Sequence, residues 1–577
     1  MKLIVLTLLT LLLIPAYYAL SLQTPSFVPV TDAMLQNPSP GDWLMWRRTL
    51  NGWGYSPLDQ INRGNVRNLK LVWTRGIGPG IQEATPLVYR GVMYLPHPSD
   101  LIEAMNAATG ERLWEHKREW KQDVSKYVLF PSINRSLAIY GNTIIDTSAD
   151  DYVFGIDATS GKPAFETRIL DMIESPSQQT SGPLIAKGKI FSGRGCEPRK
   201  SALACVVTAH DAKTGKELWR THLVPRPGEP GDETWGGLPF EQRSHVGSWL
   251  VPSYDPDLNL LYIGTSVTAP APKFMLAGNN HEYLYHNSTL ALNADTGKIV
   301  WHYQHLVDHW DFDHPFERLL IDTAVTPSRA DVSWINPAIK AGERRKVITG
   351  IPGKTGIVYT LDRQTGEFLW AKPTVRQNVV ANIDGATGKV SVNPETLFTA
   401  IGQQRFVCPT IQGGKNFQAG AYSPQTNVMY YPLQNACTNV TAMAEGSGGA
   451  YRIQNVLQIA PGTDKVGSIH AISVETGKTL WKYEQRAGYM SLVATGGGLL
   501  FGGDTNGHFR AFDQNTGNVL WEVNLGSPVT GYPITFTVGD KQYVAVSTGN
   551  SLVTSALNTL TPDLHPSNAS NLFVFGL

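Results

Sequence analysis

One eleven-residue pattern constrains this chain more than anything else in it. Residues 209–219 read Ala-His-Asp-Ala-Lys-Thr-Gly-Lys-Glu-Leu-Trp, and copies occupy 104–114, 155–165, 291–301, 360–370, 471–481 and 511–521. Each copy predicts a strand end, a tight Asp/Asn…Thr-Gly turn, and a second strand ending on an aromatic. An Asp or Asn side chain can accept from the backbone two residues on, and glycine takes a positive φ without steric cost. The closing aromatic is Trp in six of the seven copies and Phe in the other, which is not a chance pattern. An indole there has the area to fill a seam between neighbouring repeats and an N–H for a backbone acceptor. Repeats tens of residues apart, each holding several short strands, stack as blades closed into a ring. A degenerate copy, Tyr422-Ser423-Pro424-Gln425-Thr426-Asn427, falls in the double-length gap before 471–481 and brings the count to eight. The expected fold is all-β, an eight-bladed β-propeller with tryptophan-docking repeats.

The ends of the chain set its organisation. Lys2 is followed by an apolar run over 3–14 and by small residues at 19 and 21. Residues 1–21 therefore read as a secretory signal cut after Ser21, with an uncleaved N-terminal anchor as the alternative. No second apolar stretch is long enough to span a bilayer. Residues 22–70 read as a leader and closing strand, and 71–577 as the propeller. The apolar strand at 572–577 is placed to close the ring against the N-terminal segment. Acidic and basic residues balance, 48 against 48, which leaves no electrostatic footprint for nucleic acid. The four cysteines, Cys196, Cys205, Cys408 and Cys437, allow three pairings. In an oxidising compartment short loop closure favours 196 with 205 and 408 with 437. No Cys-x-x-Cys-His occurs, so the chain carries no covalent c-type haem. Two long spans, 220–245 and 305–345, exceed what a four-stranded blade needs and are where function is expected.

Several motifs then converge. The repeats, with Gly195-Cys196-Glu197, Trp249, His309-Trp310-Asp311-Phe312-Asp313, Lys354-Thr355-Gly356 and Gly413-Gly414-Lys415-Asn416-Phe417, resemble the PQQ-dependent alcohol dehydrogenases from about residue 40 onwards. The resemblance implies a periplasmic enzyme that oxidises an alcohol by hydride transfer to metal-bound pyrroloquinoline quinone and passes electrons to a separate cytochrome c. It makes Asp311 the base that takes the hydroxyl proton. A carboxylate needs burial or a placed partner for that work. Lys354 becomes the cation that stabilises charge on the cofactor. Trp249 becomes the floor under the planar quinone, and Glu83, Arg135, Ser148, Ser181, Gly195 and Asn416 become further contacts. Arg135 is chemically apt, since guanidinium meets carboxylates bidentately and PQQ carries three. The metal ligands implied are Glu197, Asp311 and Asp313, for Ca²⁺ or a lanthanide, both of which take oxygen donors.

The chain also departs from that pattern. It has no cysteine between Asp123 and Arg135, where many members place a vicinal pair over the cofactor. Val267 falls where the family has an Asn ligand, and Tyr489 where a Trp is usual. Three carboxylates match a trivalent ion better than a divalent one, so a light lanthanide is expected to support activity at least as well as calcium. Asp313 replacing the donor lost at Val267 is the competing account. Two other functions fit the same repeats: a PQQ-dependent dehydrogenase of sugars, polyols or polymers, and a non-catalytic propeller scaffold of the outer-membrane assembly type. The scaffold would need none of Glu197, Asp311, Lys354 and Trp249 together.

Overall fold

The computed structural model describes residues 27–197 and 202–577, so the expected signal at 1–21 lies outside the described residues. Among the described residues eight sheets have four or five strands each, nearly all antiparallel neighbours. The sheet of Leu87–Tyr89, Val92–His97, Leu101–Asn106 and Arg112–Lys117 is typical, a meander in which sequence order is spatial order.

The repeated turn joins the third and fourth strands of such a meander. In 209–219 it links Val206–Asp211 to Glu217–His222, with Asp211 Oδ1 accepting from the Lys213 N–H at 3.1 Å and the Thr214 N–H at 2.9 Å. Gly215 has a φ of 72°, and a Cβ there would lie 2.5 Å from Phe165 of the preceding copy. The relation recurs around the molecule. Trp219 faces Gly297 of the next copy, with its Nε1–H donating to Ala294 O at 3.1 Å; Trp301 faces Gly366, and Trp481 faces Gly517. The Thr-Gly turn is thus a socket for the aromatic of the neighbouring repeat, and its glycine is needed for close approach as well as for φ.

The eighth sheet arises differently from the expectation. Residues 422–427 do turn, but between Ala421–Ser423 and Val428–Gln434, the first two strands of the sheet that ends in the 471–481 copy. They add no sheet of their own. The remaining sheet joins the two ends of the chain: Lys70–Gly76 pairs with Asn571–Gly576, which continues into Lys541–Ser547 and Ile534–Val538. Its outer strand comes from the N-terminus, so it has no turn at that position, yet Trp73 sits where the closing aromatic belongs and faces Gly110.

The extra length in the gap forms two small sheets, Val380–Ile383 with Val390–Val392, and Gln404–Val407 with Ala436–Ala442 and Ile453–Ile459. A Cys408–Cys437 disulfide ties the second, and Cys196 pairs with Cys205, as short closure predicted. The span 305–345 is less of an insertion than its length suggested. Leu319–Val325 and the start of Glu343–Gly350 are strands of the next sheet, and Trp334–Ile335 adds a fifth to it.

Candidate active site

A cavity of about 310 Å³ gathers Glu83, Arg135, Gly195, Trp249, Asp311, Asp313, Lys354 and Asn416, which lie far apart in the sequence. Asp311 reaches it through an unusual backbone. Asp308 accepts from the N–H of Trp310 at 2.6 Å and of Phe312 at 2.5 Å, clamping the segment, while both aromatic side chains are buried. The residue between them is left at φ 79°, a conformation that non-glycine residues rarely hold unless their surroundings impose it. Asp311 and Asp313, two residues apart, converge by this turned backbone rather than along an extended strand.

Both carboxylates meet one ammonium. Lys354 Nζ lies 3.2 Å from Asp311 Oδ2 and 3.1 Å from Asp313 Oδ2, and donates to Asp311 O at 2.9 Å. The other oxygen of Asp313 accepts the Val267 N–H at 3.0 Å, so valine contributes here through its backbone. Asp311 Oδ1 is buried and accepts no hydrogen bond from the described residues. Burial pushes the Asp311 carboxyl well above the usual range; Lys354 opposes that shift, and the neighbouring Asp313 and Asp308 add to it. Burial alone would lower the Lys354 ammonium, but Asp311 and Asp313 hold it above its ordinary value.

Another part of the wall is aromatic and cationic. The Arg135 guanidinium carbon lies 5.1 Å from the Trp249 ring centre and 5.5 Å from that of Phe417. Its Nη2 pairs with Glu83 at 2.5 Å and its Nη1 donates to Thr180 O at 3.1 Å, while Nε is buried without a partner. Burial raises the Glu83 carboxyl, with Arg135 opposing. Asn416 is on the wall, but its amide is tied within its own loop, to Gln412 O at 2.9 Å and the Phe417 N–H at 2.8 Å.

Three expected residues are not on the cavity wall. Ser148 is held in a buried network, accepting from Arg118 at 2.7 Å and donating to Asp150 at 2.6 Å. Ser181 Oγ donates to Gly182 O at 3.0 Å. Glu197 is buried just behind the wall, its N–H on Pro176 O at 3.1 Å, close enough that its charge raises the phenol of Tyr451, behind the larger effects of burial, Asp311 and Asp313. Among the described residues no three His, Cys, Asp or Glu side chains converge closely enough to hold a metal ion. The donors present are nevertheless the hard oxygens such a cation requires, and Asp311 Oδ1 is an acceptor with no competing bond.

Sequence reasoning missed several wall residues, His245 and Tyr451 among them. His245 ends the 220–245 span, which was singled out only as an insertion. Its Nδ1 lies 2.6 Å from Cys196 O and its Nε2 2.6 Å from Tyr451 Oη. A carbonyl can only accept, so Nδ1 carries the proton, Nε2 accepts, and Tyr451 donates. Tyr451 comes from the loop between Ala436–Ala442 and Ile453–Ile459, where nothing local marks it. Phe130 and Ile133 line the wall in the stretch that lacks the vicinal cysteines.

Comparison with known proteins agrees with this geometry. The family model described as "PQQ: Glucose/ethanol/alcohol dehydrogenase, beta-propeller domain" matches residues 43–383 and 467–544, and the unmatched stretch holds the disulfide-tied sheet and Tyr451. The dehydrogenase subunit of the quinone alcohol dehydrogenase of Komagataeibacter europaeus is 30% identical over 547 residues, 88% of this chain and 72% of that protein. The lanthanide-dependent methanol dehydrogenase of Methylacidiphilum fumariolicum is 30% identical over 559 residues, 91% of this chain and 87% of its own. Among solved structures, a europium-containing methanol dehydrogenase superposes with a TM-score of 0.82 at 26% identity, covering 95% of this chain and all of that one. With a cavity of this composition on a repeat-built all-β frame, the chain belongs to the PQQ β-propeller family of glucose, ethanol and alcohol dehydrogenases.

Proposed function

We propose that this protein oxidises an alcohol to the aldehyde or ketone, with PQQ in the cavity between Trp249 and Lys354 and with Asp311 as the base. The observation that carries this reading is the Asp311–Lys354–Asp313 cluster, at 3.2 and 3.1 Å, in a cavity that also holds Trp249 and Arg135. The wall suits the cofactor: Arg135 has an unpartnered buried N–H for a carboxylate, and Trp249 offers a flat apolar surface. Bound PQQ would supply the two-electron acceptor that no side chain here provides.

The protein's own part is proton handling and charge placement. Burial makes the Asp311 carboxylate a stronger base than a solvated one, suited to taking the hydroxyl proton of an alcohol. Lys354 opposes the rise of that carboxyl and sets a positive charge on the wall. Glu197, Asp311 and Asp313 are the residues that would hold the cation, and their three charges favour a light lanthanide at least as well as Ca²⁺. The eight larger sheets act as blades of one ring sealed by the aromatic sockets, with the site at its axis. Every cysteine is in a disulfide, which supports a periplasmic location, and a separate cytochrome c is the proposed acceptor.

The test is reconstitution. Metal-free protein given PQQ with Ca²⁺ or with La³⁺ is assayed on a panel of alcohols and sugars with an artificial acceptor. Turnover of alcohols with La³⁺ at or above the Ca²⁺ level is expected. Retention of PQQ with no turnover of any alcohol would overturn the reading, and activity with Ca²⁺ alone would show that Asp313 does not select a lanthanide.

A further inference from the structure

Below the aromatic floor lies a second group of charges that the site does not use. Arg47, Glu317, Arg318 and Lys415 are all buried. Lys415 Nζ pairs with Glu317 Oε2 at 2.6 Å and donates to Asn416 O at 3.2 Å, so it is tied directly to the cavity wall. It also sits 4.5 Å from the ring centre of Phe316, which meets Trp249 edge-on at 5.5 Å. This ammonium therefore lies next to the cavity, behind Asn416 and the Phe316–Trp249 ring pair.

Gly420 joins the next member. Its N–H donates to Glu317 Oε1 at 2.8 Å and its carbonyl accepts from Arg47 Nη2, which also donates to Leu492 O at 2.7 Å. Arg318 is satisfied by Thr289 Oγ1 and by the carbonyls of Phe316 and His314. Among the described residues neither arginine makes an ion pair, and Glu317 pairs only with Lys415. Three cations thus face one carboxylate, a buried excess of two positive charges. Burial lowers all three cations, to about 10 for Arg47, about 9 for Arg318 and about 8 for Lys415, yet each remains charged at neutral pH. An uncompensated charge in a dry interior is costly, and its field is poorly screened.

We propose that Arg47, Arg318 and Lys415, offset by Glu317, form a net-positive patch beneath the floor that raises the reduction potential of a quinone bound in the cavity. This rests on the quinoprotein reading above and extends it to residues that touch neither substrate nor cofactor. Reduction adds negative charge in the cavity, and the patch is fixed by folding next to it, behind Asn416 and the Phe316–Trp249 ring pair, so no reorganisation is needed when that charge arrives. Glu317 moderates the effect by cancelling one of the three cations.

The signs make the inference testable. Midpoint potentials are measured by spectroelectrochemical titration of the PQQ-loaded protein. Arg47→Met removes a positive charge and is expected to lower the potential. Glu317→Gln removes the negative one and is expected to raise it. Each should change the oxidised-to-reduced ratio at the wild-type midpoint by about tenfold, in opposite directions. The double variant Lys415→Met/Glu317→Gln deletes a neutral pair and should stay near wild type. A purely structural role would move all three the same way or not at all, and either result overturns the inference. Glu317→Gln is nearly isosteric, so its upward shift decides the matter alone if Arg47→Met does not fold. Wild-type protein that takes up no PQQ would overturn the quinoprotein reading and this inference with it, whereas uptake with unmoved potentials would overturn this inference only.

Discussion

At the scale of single residues, Asp311 depends on its neighbours for both its position and its basicity. The Asp308 clamp at 2.6 and 2.5 Å and the buried rings of Trp310 and Phe312 impose the φ of 79°. Burial then raises its carboxyl, and Lys354 opposes that shift. Asp311→Asn keeps shape and hydrogen-bonding capacity but cannot accept the proton. It is expected to lower kcat by at least about a hundredfold, the usual worth of a placed general base, with PQQ retention and melting temperature near wild type. Stopped-flow reduction of the loaded variant measures this, and a loss of only a few-fold with cofactor bound would remove Asp311 from the role. The sequence motif was enough to single out Asp311 and Lys354. It did not reveal that Val267, disqualified as a ligand by its side chain, would hold Asp313 through its N–H.

The socket turns govern the scale of elements. Gly297 combines a φ of 71° with a Cβ position 2.5 Å from Trp219, so an alanine there is both strained and in collision. Gly297→Ala is expected to destabilise the protein by about 2–4 kcal/mol, well beyond an exposed-loop change. Gly526 also has a positive φ, 79°, but nothing within 4 Å of its Cβ position, so Gly526→Ala should cost clearly less. Thermal melts of the pair separate the socket from glycine's backbone freedom. Equal losses would mean that the aromatic contact contributes nothing. The inserted sheet shows the limit of local reading. Its strands alternate like any others, and only its packing carries Tyr451 to His245, 2.6 Å away.

For the whole molecule, closure and burial produce a dependence on acid. His210, His314 and His470 are buried, and burial above all lowers them to about 4, 3 and 3. An unfolded chain would protonate them near 6.5. Their folded values are depressed, so their stabilising contribution is complete above pH 6.5 and is lost as pH falls towards 4 and below. For His210 alone the difference amounts to roughly 3 kcal/mol. Denaturant melts between pH 7 and 4 should therefore show stability falling steadily, with a shallower fall in His210→Asn. A stability flat over that range would show that these rings are solvated or paired in solution.

The sequence alone determined what turn chemistry and close spacing can encode. The Asp, Thr and Gly of each repeat act within a few residues of one another, so seven sockets and both disulfides were readable before any coordinates. The Asp311 and Lys354 motifs were readable for the same reason, since each is a short string with its own chemistry. Whatever depended on meeting across the ring was decided only by the tertiary structure. Residues 422–427 look like an eighth turn, but the eighth sheet forms from strands at opposite ends of the chain. Ser148 and Ser181 resemble cofactor contacts in sequence, yet buried partners hold them away from the wall. Arg47 and Glu317 carry no motif, Lys415 entered only within the 413–417 motif with no role of its own, and their charges lie together because folding places residues as far apart as Arg47 and Leu492, 445 positions, within a single hydrogen bond of each other. Local propensity is written residue by residue, whereas burial and electrostatics are properties of what packs nearby, and only the closed ring specifies that.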